Sequence, residues 1–321
     1  MSAETGGATG PETTTDEVIR GIDLTGRTAL VTGASGGLGA ETARALASVG
    51  ARVTLAARDL EKAEAVAEAI RKSTGNHALD LLELELSEPA SVRAAAESWL
   101  ADHEALHLLV NNAGVMACPL GRTKEGYELQ FATNHFGHFL FTGLLVPALL
   151  RGAPARIVNL SSAGHRMSGV VFEDIHYENR PYDKWEAYGQ SKSANVLFSV
   201  ALNRRLSERG VTANAVHPGM IVTELGRHLS QDDVKELMSR RPAGSEMVWK
   251  SVESGAATSV WAAAAPELEG RGGLYLEDCH EAGPKESEED VDGYAQWAVD
   301  PGAAEQLWTL SEKAVGERFD L

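Results

Sequence analysis

The chain has 321 residues, 43% of them hydrophobic, and a formal net charge of −17. That size and composition fit a soluble protein with one large domain, and the acidic balance argues against non-specific binding to nucleic acid or to an anionic membrane surface. Its two cysteines, Cys118 and Cys279, exclude a disulfide framework and a cysteine-rich metal site, and they suit a reducing cytoplasm.

Residues 1–22 are small, polar and acidic, without the basic start and apolar core of a secretion signal. They read as a disordered tail ahead of a single domain over 23–321. Strand-like and helix-like segments then alternate. "TALVT" (28–32) predicts a strand, "GAETARALASVG" (39–50) a helix, "RVTLAA" (52–57) a strand and "DLEKAEAVAEAIRKS" (59–73) a helix. "HALDLLELE" (77–85) follows as strand, "PASVRAAAESWLADH" (89–103) as helix and "LHLLVNN" (106–112) as strand. Residues 124–150 read as one long helix. Its apolar stretch "FLFTGLLVPALL" (139–150) is too short to span a bilayer and suits burial instead. "ARIVNLSS" (155–162) predicts a strand, 186–209 a helix, "VTANAVHPG" (211–219) a strand and "GGLYLE" (272–277) a last one. Such alternation implies βαβ units, hence an α/β fold: a Rossmann-like, doubly wound parallel sheet of about seven strands with helices on both faces.

Between the first strand and first helix, "LVTGASGGLG" carries Gly33, Gly37 and Gly39, with Ser35, Gly36 and Leu38 among them. Glycine there allows a sharp turn and close approach of a pyrophosphate to the positive end of the helix. The second strand ends at Ala57 and Arg58 rather than at an acid. A carboxylate would accept hydrogen bonds from a ribose diol, whereas Arg58 suits a 2′-phosphate, which favours NADP(H) over NAD(H). Gly36 argues the other way, because it stands where a second basic residue would have helped.

Of six tyrosines, only Tyr188 has a cation four residues on, Lys192 in "YGQSK". One helical turn apart, the two share a face, and a nearby ammonium stabilises a phenolate. Ser161 and Ser162 end a strand, as do "LVNNAG" (109–114) and "HPGMIVT" (217–223). In an open parallel sheet such ends line the ligand crevice.

With "TGASGGLG", "NNAG", "NLSS", "YGQSK" and "HPGMIVT" in that order, the chain resembles the short-chain dehydrogenase/reductase superfamily over roughly 25–280. "FATNHFGHFLF", "RIVNLSSAGH" and "YGQSKSANVLF" look most like its retinol-dehydrogenase-like branch and bacterial relatives. The resemblance implies hydride transfer between a nicotinamide and a carbonyl or alcohol group of a lipophilic small molecule. Tyr188 would be the acid/base, Lys192 its partner and a ribose ligand, Ser162 the hydrogen bond to the substrate oxygen, with Ser161 the weaker candidate. Asn134 would help hold a water relay, and Asn111 would support the cofactor site. The cofactor would also meet Asn112, Ala113, Gly114, Pro218, Gly219 and Thr223, with Glu85 and Leu86 near the adenine, where the family often has aspartate. Relatives commonly pair through helices 124–150 and 186–209.

The segment 163–187 brings Phe172, Tyr177 and Trp185 toward the crevice mouth, as a substrate wall, an interaction surface or an ordered surface loop. Substrate specificity is expected in 220–249 and beyond 273. His135 and His138, three apart, lack a third ligand and read as packing or site lining rather than a metal site. His165, three residues after Ser162, is the weaker candidate for a substrate contact, and His217 reads as structural. Cys118 lacks the His–Asp arrangement of a nucleophile. Two rival readings share these motifs: a carbon–carbon double-bond reductase of the protochlorophyllide-reductase type, and a dinucleotide-sensing scaffold without turnover.

Overall fold

Apolar and β-branched residues run through the central strands with little alternation, the pattern of strands covered on both faces. The computed structural model describes residues 10–226, 229–240, 248–287 and 290–321. Its strands are β1 (Thr28–Thr32), β2 (Arg52–Ala57), β3 (Leu79–Glu83), β4 (Leu108–Asn111), β5 (Ala155–Leu160), β6 (Val211–His217), β7 (Met220–Ile221), β8 (Trp249–Lys250), β9 (Tyr275–Glu277) and β10 (His280–Glu281). The helices are α1 (Thr15–Val18), α2 (Gly37–Ser48), α3 (Leu60–Thr74), α4 (Pro89–Asp102), α5 (Leu129–Phe131), α6 (Gly137–Arg151), α7 (Lys184–Leu206), α8 (Gln231–Ser239), α9 (Val252–Ala264) and α10 (Pro301–Val315).

Eight strands form the main sheet in the order β10-β9-β6-β5-β4-β1-β2-β3, and β7 and β8 form a separate ribbon. The main sheet is parallel from β9 to β3, seven strands as expected; β10 adds an antiparallel edge. The chain reverses its direction of travel between β1 and β4, which makes a crevice at their carboxyl ends. One apolar layer packs α4, α6, α7 and α10 against the sheet, and the other packs α2, α3 and α9. Among the described residues, no helix is long and apolar enough to cross a membrane.

Three expectations change. Residues 1–9 lie outside the described residues, but from residue 10 the expected disordered tail is ordered. Thr14 and Glu17 form a reciprocal capping box on α1. Arg44 of α2 binds Asp16 at 2.7 Å, and the Ser254 hydroxyl of α9 reaches the Glu12 carbonyl at 3.0 Å. Asp16, one of the acidic residues that suggested disorder, is therefore a docking group.

The long helix expected over 124–150 starts at Leu129 and is interrupted by a π-turn over Ala132–Phe136, which carries Asn134. Glu128 fixes that start, because its buried carboxylate accepts the amides of Gln130 and Phe131 at 2.9 and 2.7 Å.

The α6–α7 face expected to pair with a second copy is covered by α10 of the same chain. Trp308 meets Phe139 at 4.9 Å between ring centroids and lies under the Arg205 guanidinium at 4.1 Å. Arg205 also grips Glu305 through two hydrogen bonds of 2.9 and 2.6 Å.

Candidate active site

The glycine-rich turn leaves β1 at Thr32 and enters α2 at Gly37. A β-carbon on Gly39 would stand 2.4 Å from the Gly33 carbonyl oxygen, so side chains are barred where strand and helix pack closest. Gly36 precedes the helix without a side-chain cap, and open space surrounds the position a side chain would take there. Uncapped first-turn amides facing open space suit an anionic phosphate. Leu38 turns inward and packs with the apolar layer below α2, and Ser35 is half-buried. Thr223 stands over the turn, with its methyl carbon 3.5 Å from where a Gly37 β-carbon would lie. Pro218 and Gly219 are half-buried after β6, where the His217 ring accepts the Ala163 and Gly219 amides at 3.2 and 3.3 Å, a structural use.

At the far end of the turn, Arg58 follows β2, is 69% exposed at its side chain, and lies 3.3 Å from Glu85. The Glu85 carboxylate also accepts the Ser87 amide and hydroxyl at 3.0 and 2.7 Å. Those hydrogen bonds and Arg58 hold it below the usual carboxylate range, against burial, the largest single influence, which raises it. Leu86 turns into the apolar layer beside α4 and α6.

The next turn, Asn112–Gly114, is tied to β1. The Thr32 hydroxyl oxygen accepts the amides of Asn112 and Ala113 at 2.9 and 3.0 Å, and the Asn112 side chain donates to the Thr32 carbonyl at 2.7 Å. Asn111 points into the core instead. Its amide bridges Thr142 at 2.9 Å and Asn159 at 2.8 Å, so it supports the crevice as a cross-strand brace.

Tyr188 and Lys192 lie on α7, each 3% exposed. The Lys192 ammonium nitrogen is 5.6 Å from the Tyr188 ring centroid and donates to the Leu160 carbonyl at 3.0 Å. Ser162 ends the strand side of the site, where its hydroxyl oxygen accepts the Gly164 amide at 3.0 Å. Ser161 is separated from it by use: its hydroxyl donates to the Lys192 carbonyl at 2.9 Å. Burial pushes the Tyr188 phenol up to about 12, with the Ser162 hydroxyl pulling the other way, and burial pushes Lys192 down to about 8. Burial thus outweighs the lowering of the tyrosine expected from the adjacent lysine.

Asn134 is wholly buried. Its side-chain Oδ1 accepts the Val115 amide at 2.8 Å, and its side-chain amide donates to the Val115 carbonyl and the Ser191 hydroxyl, each at 2.9 Å. The side chain thus clamps the turn after Gly114 onto α7, beside Lys192. A β-carbon on Gly114 would come 3.0 Å from Asn134 Oδ1 and 3.6 Å from Lys192 Nζ.

Several expected neighbours lie elsewhere. Tyr177 is buried against Tyr182 and Gln190, and Phe172 packs on the layer containing α10. Trp185 is fully buried, so Tyr177 and Trp185 serve packing rather than an open substrate wall. His135 faces α10, its Nε2 being 2.8 Å from the Ser311 hydroxyl. His165 ties the Ser162 carbonyl (2.6 Å) to the Ala295 amide (3.1 Å). Cys118 is buried and accepts the Tyr182 hydroxyl on its carbonyl at 3.0 Å. Among the described residues, no group of three or more His, Cys, Asp or Glu side chains is placed to hold a metal ion. Of the expected specificity segment 220–249, residues 227–228 and 241–247 lie outside the described residues.

Sequence reasoning missed Gly164 and Thr32. A β-carbon on Gly164 would stand 2.7 Å from Tyr188 Cε1. Its signal was a glycine two residues after the reactive serine; Thr32 was visible only as the last residue of a strand.

Residues 27–234 match the family described as short chain dehydrogenase. The chain is 42% identical over 304 residues to human retinol dehydrogenase 12, covering 93% of this chain and 89% of that one. A crystal structure of an uncharacterized protein from Mycobacterium paratuberculosis superposes with a TM-score of 0.72 at 33% identity, covering 94% of this chain and 98% of the other. A gluconate 5-dehydrogenase from Burkholderia cenocepacia, in complex with NADP and tartrate, is similar at a TM-score of 0.61 and 27% identity, over 79% of this chain and 94% of that one.

Proposed function

Because the chain belongs to the short-chain dehydrogenase/reductase family, in its retinol-dehydrogenase-like branch, we propose that it is an NADP(H)-dependent oxidoreductase interconverting a carbonyl and an alcohol on a lipophilic small molecule. The observation that carries this reading is the meeting of buried Tyr188 and Lys192 on α7 with half-buried Ser162 after β5, beside an uncapped helix start that suits a pyrophosphate.

The dinucleotide supplies the hydride; the chain's own groups handle the proton. Ser162 and Tyr188 present hydroxyls to the substrate oxygen as charge develops on it. In the reductive direction Tyr188 gives up its proton, and Lys192 and Ser162 stabilise the phenolate left behind. Burial makes that phenolate costly, so both neighbours are needed during transfer. Lys192 is held for the task by the Leu160 carbonyl, and Asn134 holds the adjoining turn. Arg58 is the residue for a 2′-phosphate, which would compete with Glu85 for the guanidinium. The name of the retinol-dehydrogenase relative supports the lipophilic substrate, and the NADP complex of the gluconate-dehydrogenase relative supports the cofactor.

The test is a panel of aldehydes, ketones and alcohols, retinoids included, assayed with NADPH and NADP⁺ against NADH and NAD⁺. Turnover of a carbonyl or alcohol with preference for the phosphorylated pair is expected. A substrate turned over equally well by Tyr188→Phe would overturn the proton-transfer assignment.

A further inference from the structure

His138 is 1% exposed, lies two residues beyond the π-turn, and is absent from the proton transfer derived above. Its Nδ1 is 3.0 Å from the Asn134 carbonyl and its Nε2 is 2.8 Å from the Thr32 hydroxyl. These partners leave one consistent arrangement of protons. The Asn134 carbonyl can only accept, so Nδ1 carries the hydrogen. The Thr32 oxygen already accepts two amides, from Asn112 and Ala113, so its single hydrogen points to the lone pair on Nε2. Every donor and acceptor in this circuit is then used once, and only with a neutral ring. Burial, with Lys192 adding repulsion, keeps the imidazole neutral by lowering it to about 4, while its bond to the Asn134 carbonyl opposes that shift.

We propose that His138 is a positioning residue: its single tautomer locks the Thr32 hydroxyl as the double acceptor of the Asn112–Gly114 turn and fixes the Asn134 peptide within the π-turn. The circuit joins the end of β1, the turn after β4 and the α6 entry, three segments that meet beside Lys192. Its effect on cofactor binding rests on the oxidoreductase reading; its effect on the turn does not.

Two amide-for-imidazole replacements separate the halves of the circuit. Gln at 138 carries its amide at the depth of Nε2 and Asn carries its amide at the depth of Nδ1. Hydrogen exchange of the Asn112 and Ala113 amides in the unliganded protein is read alongside the NADPH dissociation constant from fluorescence titration. His138→Leu is expected to speed exchange of both amides at least ~10-fold and to weaken NADPH by a similar factor, with exchange in β3 unchanged. His138→Gln is expected to restore slow exchange at both amides, and His138→Asn is not. In a Thr32→Val background, which lacks the acceptor, none of the three changes at 138 should accelerate those amides further.

Wild-type exchange rates in folded His138→Leu would overturn the proposal. If His138→Leu does not fold, equal exchange in the Gln and Asn variants would overturn it, and slow exchange confined to Gln would support it. Wild-type protein that shows the circuit in exchange but does not bind NADPH would instead sink the proposed function and leave the positioning role standing.

Discussion

The two ends of the crevice are built on opposite plans. At the reactive end, Tyr188, Lys192, Asn134 and His138 are each at most 3% exposed. Asn134, His138 and the lysine are anchored to backbone groups, the first two to hydroxyls as well. At the nucleotide end, Arg58 is 69% exposed and shares one contact with Glu85. Burial makes each interaction at the first end strong and each unpaired group costly, so that end works only when all of its partners are present. Solvent screens the second end, so a substitution there changes preference in small steps. Under the proposed function, proton transfer falls where geometry is over-determined, and cofactor choice where it is adjustable.

The contrast fixes the order of expected effects. Tyr188→Phe removes the proton donor and should lower kcat by about 10³-fold or more with little change in cofactor affinity, as separate single-turnover and titration experiments would show. Equal loss in both would mean that Tyr188 binds rather than reacts.

Acid should destabilise the whole fold, the reactive end included. Burial lowers His135 to about 3 and His138 and His165 to about 4, each below its unfolded value near 6.5. The unfolded chain therefore binds more protons as pH drops through 6.5, and stability falls, with most of the loss complete near pH 4. Denaturant titrations at pH 7.5 and 4.5 should differ by several kcal/mol, an order-of-magnitude sum over the three rings. A flat profile would mean that the rings are not held neutral.

Gly164→Ala pushes a methyl group against the Tyr188 ring, and we expect roughly 10²-fold lower kcat and about 1–3 kcal/mol lower stability. Arg58→Ala should be the mildest, raising KM for NADPH about tenfold while leaving the NADH reaction and kcat unchanged. A large kcat effect at Arg58 would erase the distinction between the two ends.

The sequence made the seven parallel strands legible because strands buried on both faces spell out near-continuous apolar runs, and β1, β2, β5 and β6 match their expected limits within about two residues. Tyr188, Lys192, Ser162 and the glycines were visible because their motifs pack distinctive residues into a few positions. Asn111 and Asn112 could not be told apart in that way. Adjacent residues on a strand point to opposite sides, and only the register showed which one braces the core. The π-turn around Asn134 was hidden because "ATNHFGHFLF" has no proline and its one glycine, Gly137, follows the widened turn, which is held by bonds to Val115, Ser191 and His138. His138 was noticed as half of a spacing suggestive of metal. One of its two partners, Thr32, is far away in sequence, and no local pattern encodes it. The order from residue 10 onward was obscured by composition, since acidic residues favour disorder until a complementary arginine such as Arg44 is in place.

The cover that α10 lays over α6 and α7 has a consequence for how the protein behaves on dilution. A face sealed by a separate subunit opens as protein concentration falls below the dissociation constant. Here the sealing helix is tethered to the sheet through the segment after β10, so its local concentration is set by chain length alone. The aromatic contacts among Phe139, Trp308 and Phe319, and with them the outer support of the π-turn, are thus as complete at nanomolar protein as at millimolar.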